Sequence, residues 1–361
     1  MQALILVGGH GTRLRPITWT IPKPVIPLVD RPFIRYLVDW LARHEVDEVV
    51  MACGFLPDAL QEALGDEIPN GPSIRYVEEP EPRGTGGGVK FAEDLLEDTF
   101  FCLNGDVLAD LDLSKLRRRH EQSGARATLG LYPVDDPSAF GLVRRSDDGR
   151  ITEFLEKPDP TEIDTDEISA GCYILNKEVL ELMPGGQEVS IERELWPELV
   201  GEGLYAERLE GYWIDIGTPE GYHRAFRAIL DREVETDPGA RIDGDGIYID
   251  ADADVGAEVD VRGPVWVQPG AKLEPGASIG PHSVIGTDCT VEGGATVSGS
   301  ALHDGCRIGE GAIVADSILS ARTTVESGAN VPEGCVSGEG STISSGASLG
   351  PGAKIQPEET A

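Results

Sequence analysis

The feature that most constrains the fold is a six-residue repeat in the C-terminal third of the chain. Aliphatic residues recur every six positions, and the count slips by one residue before Leu302 and again before Leu319. A small residue stands two positions before most of them. This period is typical of a parallel β-helix, in which each hexapeptide forms one flat side with its aliphatic side chain stacked inward. At three hexapeptides per coil, the span predicts roughly six coils.

The aliphatic positions of this repeat are Ile249, Val255, Val261, Val267, Leu273, Ile279, Ile285, Val291, Val297, Leu302, Ile308, Val314, Leu319, Val325, Val331, Ile343, Leu349 and Ile355.

A glycine-rich turn follows an apolar run near the N-terminus. The run Ala3 to Val7 predicts a buried parallel strand, and Gly8-Gly9-His10-Gly11-Thr12-Arg13 comes directly after it. Glycines let a backbone turn sharply and approach a ligand, so such a turn can present N–H groups to a phosphate. Arg13 adds a planar fork of donors and Lys23 a mobile point charge. Together they suit a polyphosphate better than an ordinary tight turn.

This turn matches neither of two common phosphate-binding motifs. No Gly-Lys-Ser/Thr follows at Walker A spacing, and Leu14 stands where the third glycine of the dinucleotide fingerprint belongs.

Strand and helix patterns alternate after the turn. The pattern that begins at Pro32 predicts an amphipathic helix, and residues 46–53 predict a second buried strand. A short helix is predicted over 57–64 and a third strand over 74–77. Alternation of this kind predicts an α/β fold with a doubly wound sheet, which binds its ligands at the carboxyl ends of the strands.

Two aspartates stand out as possible metal ligands. Asp106 follows the strand-like run 100–103, and Asp215 lies in an apolar, aromatic strand where an unpaired carboxylate would be costly. Mg²⁺ accepts one or two carboxylates together with phosphate oxygens. An aspartate after a strand is also a common turn former, so the residue types alone leave both interpretations open.

Other glycines and charges lie where a second substrate could bind. Gly84-Thr85-Gly86-Gly87-Gly88 precedes a helical pattern that begins at Val89, and either holds a base edge by backbone contacts or is a flexible turn. Glu156-Lys157-Pro158 offers an acceptor for hydroxyl groups and a cation for a phosphate, or is a solvated turn.

With Pro16 and Pro22-Lys23-Pro24 added, the N-terminal motif resembles the G-G-x-G-T-R-L-x-P…P-K-P signature of sugar-phosphate nucleotidyltransferases. Its residues most closely resemble those of the mannose-1-phosphate guanylyltransferase branch. The resemblance implies a catalytic domain over 1–235 with a Rossmann-like, doubly wound mixed sheet. It also implies a hexapeptide-repeat domain over 242–357, and it is the only source for a left-handed β-helix.

The resemblance also assigns roles to residues that match the family motifs. It implies catalytic roles for Arg13 and Lys23, and Mg²⁺ held by Asp106 and Asp215. The nucleotide-binding set is Leu6, Gly8, Gly9, Gly11, Thr12, Gly84 and Thr85. The set for the sugar phosphate is Gly141, Glu156, Lys157 and Gly171.

The implied reaction joins an NTP and a sugar 1-phosphate to give an NDP-sugar and pyrophosphate. GTP with mannose 1-phosphate is the leading pair, and dTTP or UTP with glucose 1-phosphate is the alternative. A non-catalytic regulatory relative should lack at least one motif residue, yet Arg13, Lys23, Asp106, Lys157 and Asp215 are all present.

The β-helix has two possible roles. An acyltransferase activity would need a catalytic histidine at a coil edge, where we expect His282 and His303 to be surface turn residues. The favoured role is a surface for homo-oligomerisation.

The formal net charge is −34, with 64 acidic residues spread along the chain and 30 basic ones. Such a surface repels nucleic acid and anionic membranes, so neither is an expected partner. A cationic partner is one interpretation, and solubility in high salt, as in a halophilic source, is the preferred one.

Six cysteines without a C-x-x-C pair suggest buried thiols in a reducing cytosol. With no signal-like N-terminus and no apolar run of membrane-spanning length, we expect a cytoplasmic protein.

Overall fold

The computed structural model describes residues 1–9, 11–54, 57–66, 68–69, 71–242 and 244–361. The chain forms two compact units: one contains Met1–Gly9 and Ile34–Trp213, and the other contains His10–Phe33 and Ile214–Ala361. These units do not follow the sequence-based division into 1–235 and 242–357, which stays a prediction. The signature motif is split between them, because Gly8 and Gly9 belong to the first unit while Arg13 and Lys23 belong to the second.

The helices are short, and most carry an apolar face into a core. In chain order they are α1 (Phe33–Arg43), α2 (Pro57–Leu64), α3 (Gly84–Phe91), α4 (Leu113–Ser123), α5 (Trp196–Leu199), α6 (Pro219–Leu230) and α7 (Asp237–Arg241). Tight 3₁₀ turns lie at Thr12–Leu14, Ile17–Trp19, Lys23–Val25, Glu93–Leu95, Pro137–Ala139, Pro160–Glu162 and Lys177–Leu182, and a π-helical turn at Ile191–Leu195.

The strands before the hexapeptide repeat are β1 (Gln2–Leu6), β2 (Pro27–Leu28), β3 (Arg31–Pro32), β4 (Glu48–Cys53), β5 (Ser73–Glu78), β6 (Thr99–Asn104), β7 (Val107–Ala109), β8 (Ala127–Pro133), β9 (Gly141–Arg145), β10 (Ile151–Glu156), β11 (Glu167–Asn176), β12 (Leu204–Arg208) and β13 (Trp213–Asp215).

The first unit is built on a mixed sheet, as the sequence predicted. Its strand order is β10-β9-β11-β6-β1-β4-β5, with β8 paired to β11 and β12 to β8. β1 runs parallel to both β4 and β6, whereas β11 is antiparallel to β6. The central strands are apolar on both faces because helices or turns cover each side, and Leu4, Phe100 and Cys102 are fully buried.

The parallel register brings two candidate loops to one edge of this sheet. Leu6 of β1 is paired with Asn104 of β6, and the N–H of Gly105 donates to Leu6 O at 2.9 Å. A side chain at Gly105 would collide with that carbonyl, 2.5 Å from an ideal Cβ. The glycine-rich turn after β1 and the Asp106 loop after β6 are therefore adjacent.

The second unit contains the predicted coils of parallel strands, with three flat sides. One side is formed by β14 (Ile247–Ile249), β17 (Val265–Val267), β20 (Ser283–Ile285), β23 (Ala301–Leu302), β26 (Ile318–Leu319), β29 (Val336–Ser337) and β31 (Lys354–Ile355). The second is formed by β15 (Asp254–Val255), β18 (Lys272–Leu273), β21 (Thr290–Val291), β24 (Arg307–Ile308), β27 (Thr324–Val325) and β30 (Thr342–Ile343). The third is formed by β16 (Asp260–Val261), β19 (Ser278–Ile279), β22 (Thr296–Ser298), β25 (Ile313–Ala315) and β28 (Asn330–Val331).

The two slips in the repeat are absorbed at one corner of the coil. Val267 pairs with Ile285 in the next coil. The following two pairs, Ile285 with Leu302 and Leu302 with Leu319, are each separated by one residue fewer along the chain. The aliphatic column therefore stays in register. Ser337 occupies this column where the aliphatic repeat lapses, and it is buried. Its hydroxyl lies 2.7 Å from Thr323 Oγ1 and accepts from the N–H of Ser320 at 3.1 Å, which offsets the cost of burying it.

The segment 11–33 packs on the coils within the second unit. The indole Nε1–H of Trp19 donates to Gln356 Oε1 at 3.0 Å, and Gln268 Nε2 donates to Val29 O at 2.5 Å. The phenol of Tyr222 in α6 donates to Pro27 O at 2.6 Å. The residues after the glycine-rich turn are thus held by the repeat domain.

Candidate active site

The glycine-rich turn is exposed and open at Gly8 and Gly9. An ideal Cβ at either position would meet no atom within 4 Å in the described part of the chain, so internal packing does not require glycine there. Gly9 has a φ of 109°, which disfavours any other residue. His10 lies outside the described residues. Open glycines at the carboxyl end of a central strand leave room for a ligand to reach the backbone.

Arg13 and Asp215, which both belong to the second unit, form an ion pair. Arg13 Nη2 lies 3.7 Å from Asp215 Oδ2, and the side chains are 61% and 24% exposed. The N–H of Gly217 donates to Asp215 Oδ1 at 2.5 Å. A Cβ at Gly217 would clash with the Arg13 guanidinium and with Asp215, so glycine here makes room for the pair.

Gly11, Thr12 and Lys23 belong to the same unit as Arg13. Thr12 and Arg13 lie in one 3₁₀ turn, and Lys23 begins another. An ideal Cβ at Gly11 would sit 3.0 Å from the Thr18 methyl group and 3.3 Å from the Lys23 Cβ. Gly11 is therefore a packing glycine that lets the two turns approach each other, which places both cations on neighbouring turns.

Asp106 lies in the first unit, half-buried in the turn after β6. Two residues earlier, the amide oxygen Asn104 Oδ1 is buried with no hydrogen-bond partner among the described residues. A buried acceptor without a partner costs free energy unless a ligand or water satisfies it. The end of β6 thus offers two oxygen donors of the kind that Mg²⁺ or a sugar hydroxyl uses.

The candidate sugar-phosphate residues lie on the antiparallel part of the first unit. Glu156 pairs with Gly141 across β10 and β9, and the N–H of Lys157 donates to Phe140 O at 3.0 Å. Gly141 packs directly on the ring of Phe154, and Gly171 on the side chain of Asn104. These two glycines are required by packing. Burial raises the pKa of Glu156, the charge of Glu192 raises it further, and Lys157 opposes both effects.

The second glycine-rich stretch is helical, which corrects the prediction of a loop before a helix at Val89. α3 begins at Gly84, because the glycines let its first turns lie against the segment 187–189. Ideal Cβ atoms at Gly84 and Gly87 would come within 2.6 Å of Val189 O and 2.7 Å of Gln187 O. Thr85 Oγ1 donates to Glu192 Oε2 at 2.7 Å. Base contacts by Gly84 and Thr85 stay a prediction, and the Thr85 hydroxyl is already engaged.

Two functional candidates escaped the sequence analysis. Glu79 follows β5 and is only 8% exposed; burial raises the pKa of its carboxyl, against the nearby Arg83 guanidinium. Trp213 donates from Nε1 to Ala170 O at 2.8 Å and meets Phe140 edge-to-face, with ring centroids 5.3 Å apart. The acidic position after a strand could have flagged Glu79, but no local pattern shows that it is buried.

His303 is not a surface residue, contrary to the prediction. It is 4% exposed, and its Nε2 lies 3.0 Å from Tyr222 Oη. Because the phenolic hydrogen goes to Pro27 O, the imidazole Nε2–H is the donor to Tyr222. Burial lowers the pKa of His303 to about 4. His282 lies in a turn as expected, half-exposed, with Nε2 2.9 Å from Asp231 Oδ1. His303 is therefore closed to an acyl donor, and Nε2 of His282 is engaged by Asp231.

No cluster of three or more His, Cys, Asp or Glu side chains is placed to hold a metal ion in the described ranges. A site of the kind expected here needs only one or two carboxylates besides substrate oxygens. Asp106 and Asp215 supply that donor type, one from each compact unit. Their joint binding of one ion stays a prediction.

The six cysteines are free thiols, and all are buried as expected. Every helix in the described ranges falls short of the length and apolar character needed to cross a bilayer.

Comparison with known families covers nearly the whole chain. A family model described as Nucleotidyl transferase matches residues 2–232, and one described as GMPPB C-terminal domain matches 261–360. The first of these matches contains every residue of the candidate site.

Individual relatives agree with these matches. The chain is 40% identical over 246 residues to a mannose-1-phosphate guanylyltransferase from Mycobacterium tuberculosis, covering 67% of each chain. It is 36% identical over 251 residues to a UTP–glucose-1-phosphate uridylyltransferase from Synechocystis, covering 65% of each. The solved structure of HddC from Yersinia pseudotuberculosis complexed with GMP-PN has a TM-score of 0.54 and 29% identity, over 63% of this chain and 98% of that one.

Proposed function

This chain belongs to the nucleotidyl transferase family, and from that premise we propose that it makes GDP-mannose and pyrophosphate from GTP and mannose 1-phosphate. The observation that carries the proposal is the pairing of Arg13 with Asp215 beside Gly217, because it brings together two residues singled out independently for triphosphate and metal binding. The relatives named as mannose-1-phosphate guanylyltransferases support the choice of substrates.

The reaction is an in-line substitution at phosphorus. An oxygen of the sugar phosphate forms a bond to the α-phosphorus of the nucleotide, and the bond from that phosphorus to the bridging oxygen breaks, so pyrophosphate leaves with the electron pair. Positioning and charge neutralisation do most of the work in such transfers. Arg13 and Lys23 would offset the charge of the triphosphate and of the leaving group. No general base is needed, because a phosphate dianion is already nucleophilic at neutral pH.

Asp106 and Asp215 would hold the Mg²⁺ ion. Bound there, the ion would neutralise phosphate charge and draw the two substrates together. Carboxylate oxygens are the hard donors that Mg²⁺ prefers, and the unpartnered Asn104 Oδ1 adds another acceptor near Asp106.

The sugar phosphate would be held on the β9–β10 side of the first unit. Glu156 would accept from sugar hydroxyls and Lys157 would contact the phosphate. Gly141 and Gly171, which pack on Phe154 and Asn104, would shape the backbone beside the sugar. The raised pKa of Glu156 fits a carboxylate that is partly withdrawn from water and that gains hydrogen-bond donors when a sugar binds.

We propose that Glu79, which follows β5 and lies against Gly88 of α3, meets the base and favours guanine over uracil. A carboxylate accepts two hydrogen bonds side by side, and guanine presents two adjacent donors on its pairing edge where uracil presents one donor between two acceptors. We expect Glu79→Gln to raise the KM for GTP about tenfold or more and to change the KM for UTP less, since charge-assisted hydrogen bonds are the stronger ones. Glu81→Gln, an exposed neighbour, serves as the control. Equal losses for both nucleotides would remove Glu79 from base selection.

A second candidate is a uridylyl or thymidylyl transfer to glucose 1-phosphate. It is favoured by the Synechocystis relative, which is named a uridylyltransferase and is almost as similar. Pyrophosphate release across GTP, ATP, UTP and dTTP, each with mannose 1-phosphate or glucose 1-phosphate, separates the candidates. Highest kcat/KM with GTP and mannose 1-phosphate supports the proposal, and highest kcat/KM with UTP or dTTP and glucose 1-phosphate replaces it.

The repeat domain would serve as a scaffold and a homo-oligomerisation surface. Support comes from the two candidate histidines of the coils, since His303 is buried and Nε2 of His282 is engaged by Asp231, which disfavours an acyltransferase role for either. Light scattering of the full chain tests the oligomer, and thiol release from acetyl-CoA tests the acyltransferase.

The acidic composition supports a salt-loving, cytoplasmic enzyme, and the buried free thiols fit a reducing compartment. Activity should rise as KCl is raised to molar concentration, because screening relieves repulsion within the net charge of −34. Loss of activity with added salt would contradict this proposal.

A further inference from the structure

Glu192 lies in a π-helical turn that packs against two parts of the candidate site. The turn Ile191–Leu195 contacts α3, which carries Gly84 and Thr85, and β10, which ends at Glu156. All three elements belong to the first unit. Single π-helical turns are uncommon in proteins and are found often at functional sites. Glu192 therefore stands between the segment expected to meet the nucleotide and the strand expected to meet the sugar.

On the α3 side, Glu192 fixes a hydroxyl. Thr85 Oγ1 donates to Glu192 Oε2 at 2.7 Å, and Ser190 Oγ donates to the same oxygen at 2.8 Å. The N–H of Ile191 donates to Thr85 Oγ1 at 2.9 Å. The Thr85 hydroxyl thus both donates and accepts within this turn. These bonds hold the first turn of α3 against the π-helical turn.

On the β10 side, Glu192 acts through its charge. Glu156 lies half-buried, and its charged neighbours are Glu192, Lys157 and Arg193. Burial is the first cause of its raised pKa, the Glu192 charge is the second, and the two cations act in the opposite direction. Burial raises the pKa values of Tyr173 and Cys102 on the sheet, and the Glu192 charge raises them further, so both stay neutral near pH 7.

We propose that Glu192 is a positioning residue that links the two substrate sides: one oxygen anchors Thr85 of the nucleotide segment, and its charge controls how readily Glu156 accepts sugar hydroxyls. This inference rests on the proposed function, because it takes α3 to be the nucleotide side and β10 the sugar side. Glu192 itself need not touch either substrate.

Glu192→Gln removes the charge but keeps an acceptor for Thr85. We expect the KM for the nucleotide at pH 7.5 to stay within about twofold of the wild-type value, since the hydrogen bond survives. The acid limb of kcat/KM for the sugar 1-phosphate should move to lower pH, since Glu156 then ionises more easily. A merely structural role for Glu192 would not move that limb.

Thr85→Val removes the hydroxyl but keeps the charge of Glu192. The nucleotide KM should rise about three- to tenfold, the cost of one lost hydrogen bond, while the acid limb for the sugar phosphate stays in place. Combining Thr85→Val with Glu192→Ala should raise the nucleotide KM no further than Glu192→Ala alone, because both changes break the same bond.

Glu198→Gln, an exposed carboxylate just after the π-helical turn, is the matched control and should leave both profiles unchanged. Thermal melting confirms that each variant folds. An unmoved acid limb in Glu192→Gln, or additive losses in the double variant, would overturn the inference. If the wild-type chain releases no pyrophosphate with any nucleotide and sugar 1-phosphate pair, the proposed function fails instead, so the two failures are distinguishable.

Discussion

Arg13 Nη2 and Asp215 Oδ2 lie 3.7 Å apart, although one residue follows the first strand and the other ends β13. The two opposite charges attract each other at this distance, although water around the exposed arginine weakens the attraction. A bound nucleotide and Mg²⁺ would compete for the same two groups, so the pair places a cation and a carboxylate side by side for them. Both residues belong to the compact unit that contains the β-helix.

Arg13→Lys should impair use of the nucleotide while keeping the charge. A lysine ammonium lacks the planar fork that grips two phosphate oxygens, so we expect kcat/KM for the nucleotide to fall about tenfold or more. Steady-state kinetics with the nucleotide varied measures the change. Arg262→Lys, an exposed arginine of the repeat domain, is the matched control and should behave as wild type. Wild-type kinetics in Arg13→Lys would remove Arg13 from phosphate binding.

Asp106→Asn and Asp215→Asn should each reduce turnover about a hundredfold or more, because an amide is a much weaker Mg²⁺ ligand than a carboxylate. Stability should change little, since an asparagine oxygen at 215 can still accept from the N–H of Gly217. Pyrophosphate release and thermal melting provide the two readouts, and Asp147→Asn, which is exposed, is the control. Near-wild-type turnover in either variant would refute the assignment of that residue to the metal.

His303 should make the protein acid-sensitive. Its pKa is about 4 in the fold against 6.5 in the unfolded chain, so between these values the unfolded state binds more protons. The stability that this group contributes is therefore fully present above pH 6.5 and is lost as the pH falls through 4. The loss lowers the free energy of unfolding by about 3 kcal/mol.

Melting temperatures of wild type and His303→Gln, compared from pH 7.5 to pH 4.5, test this prediction. The variant should be less stable at neutral pH but lose less stability on acidification. Because burial also lowers the pKa values of His120 and His223, the difference between the two proteins is the relevant quantity. Parallel pH curves would show that His303 is not the source.

Ile308→Ala should destabilise the repeat domain. Ile308 is fully buried in the aliphatic column between Val291 and Val325. Truncation to alanine leaves a cavity there and should lower the free energy of unfolding by about 2–4 kcal/mol. Ile313, one strand later, is 47% exposed, and Ile313→Ala should cost less than about 0.5 kcal/mol. Urea unfolding of both variants gives the comparison. Equal losses would mean that the coil interior is not packed as described.

Much of the architecture could be read from local patterns. The six-residue period located the β-helix and its two shortened coils, since each aliphatic position repeats the same environment. Apolar runs that end in glycine or aspartate placed Gly8 and Asp106 at the carboxyl ends of strands, and the register of β1 with β6 confirms that they share an edge.

Patterns failed where distant segments determine the environment. The position after Leu302 faces outward in the repeat, so His303 reads as a surface residue, but Tyr222 of α6 covers that side. Gly84 and Gly87 were predicted to lie in a loop before a helix that begins at Val89, but they are helical because the segment 187–189 packs directly on them. Glu79 gave no local signal of its burial.

The sequence by itself determined the chemistry available and the periodic elements, because motif identity and hydrophobic period are properties of neighbouring residues. Only the tertiary structure decided which glycines are open and which are packed, which histidine is buried, that Arg13 lies beside Asp215, and that Glu192 accepts a hydrogen bond from Thr85 of α3. These relations depend on contacts between residues far apart in the chain, and the burial and charge that follow from such contacts leave no mark on a local pattern.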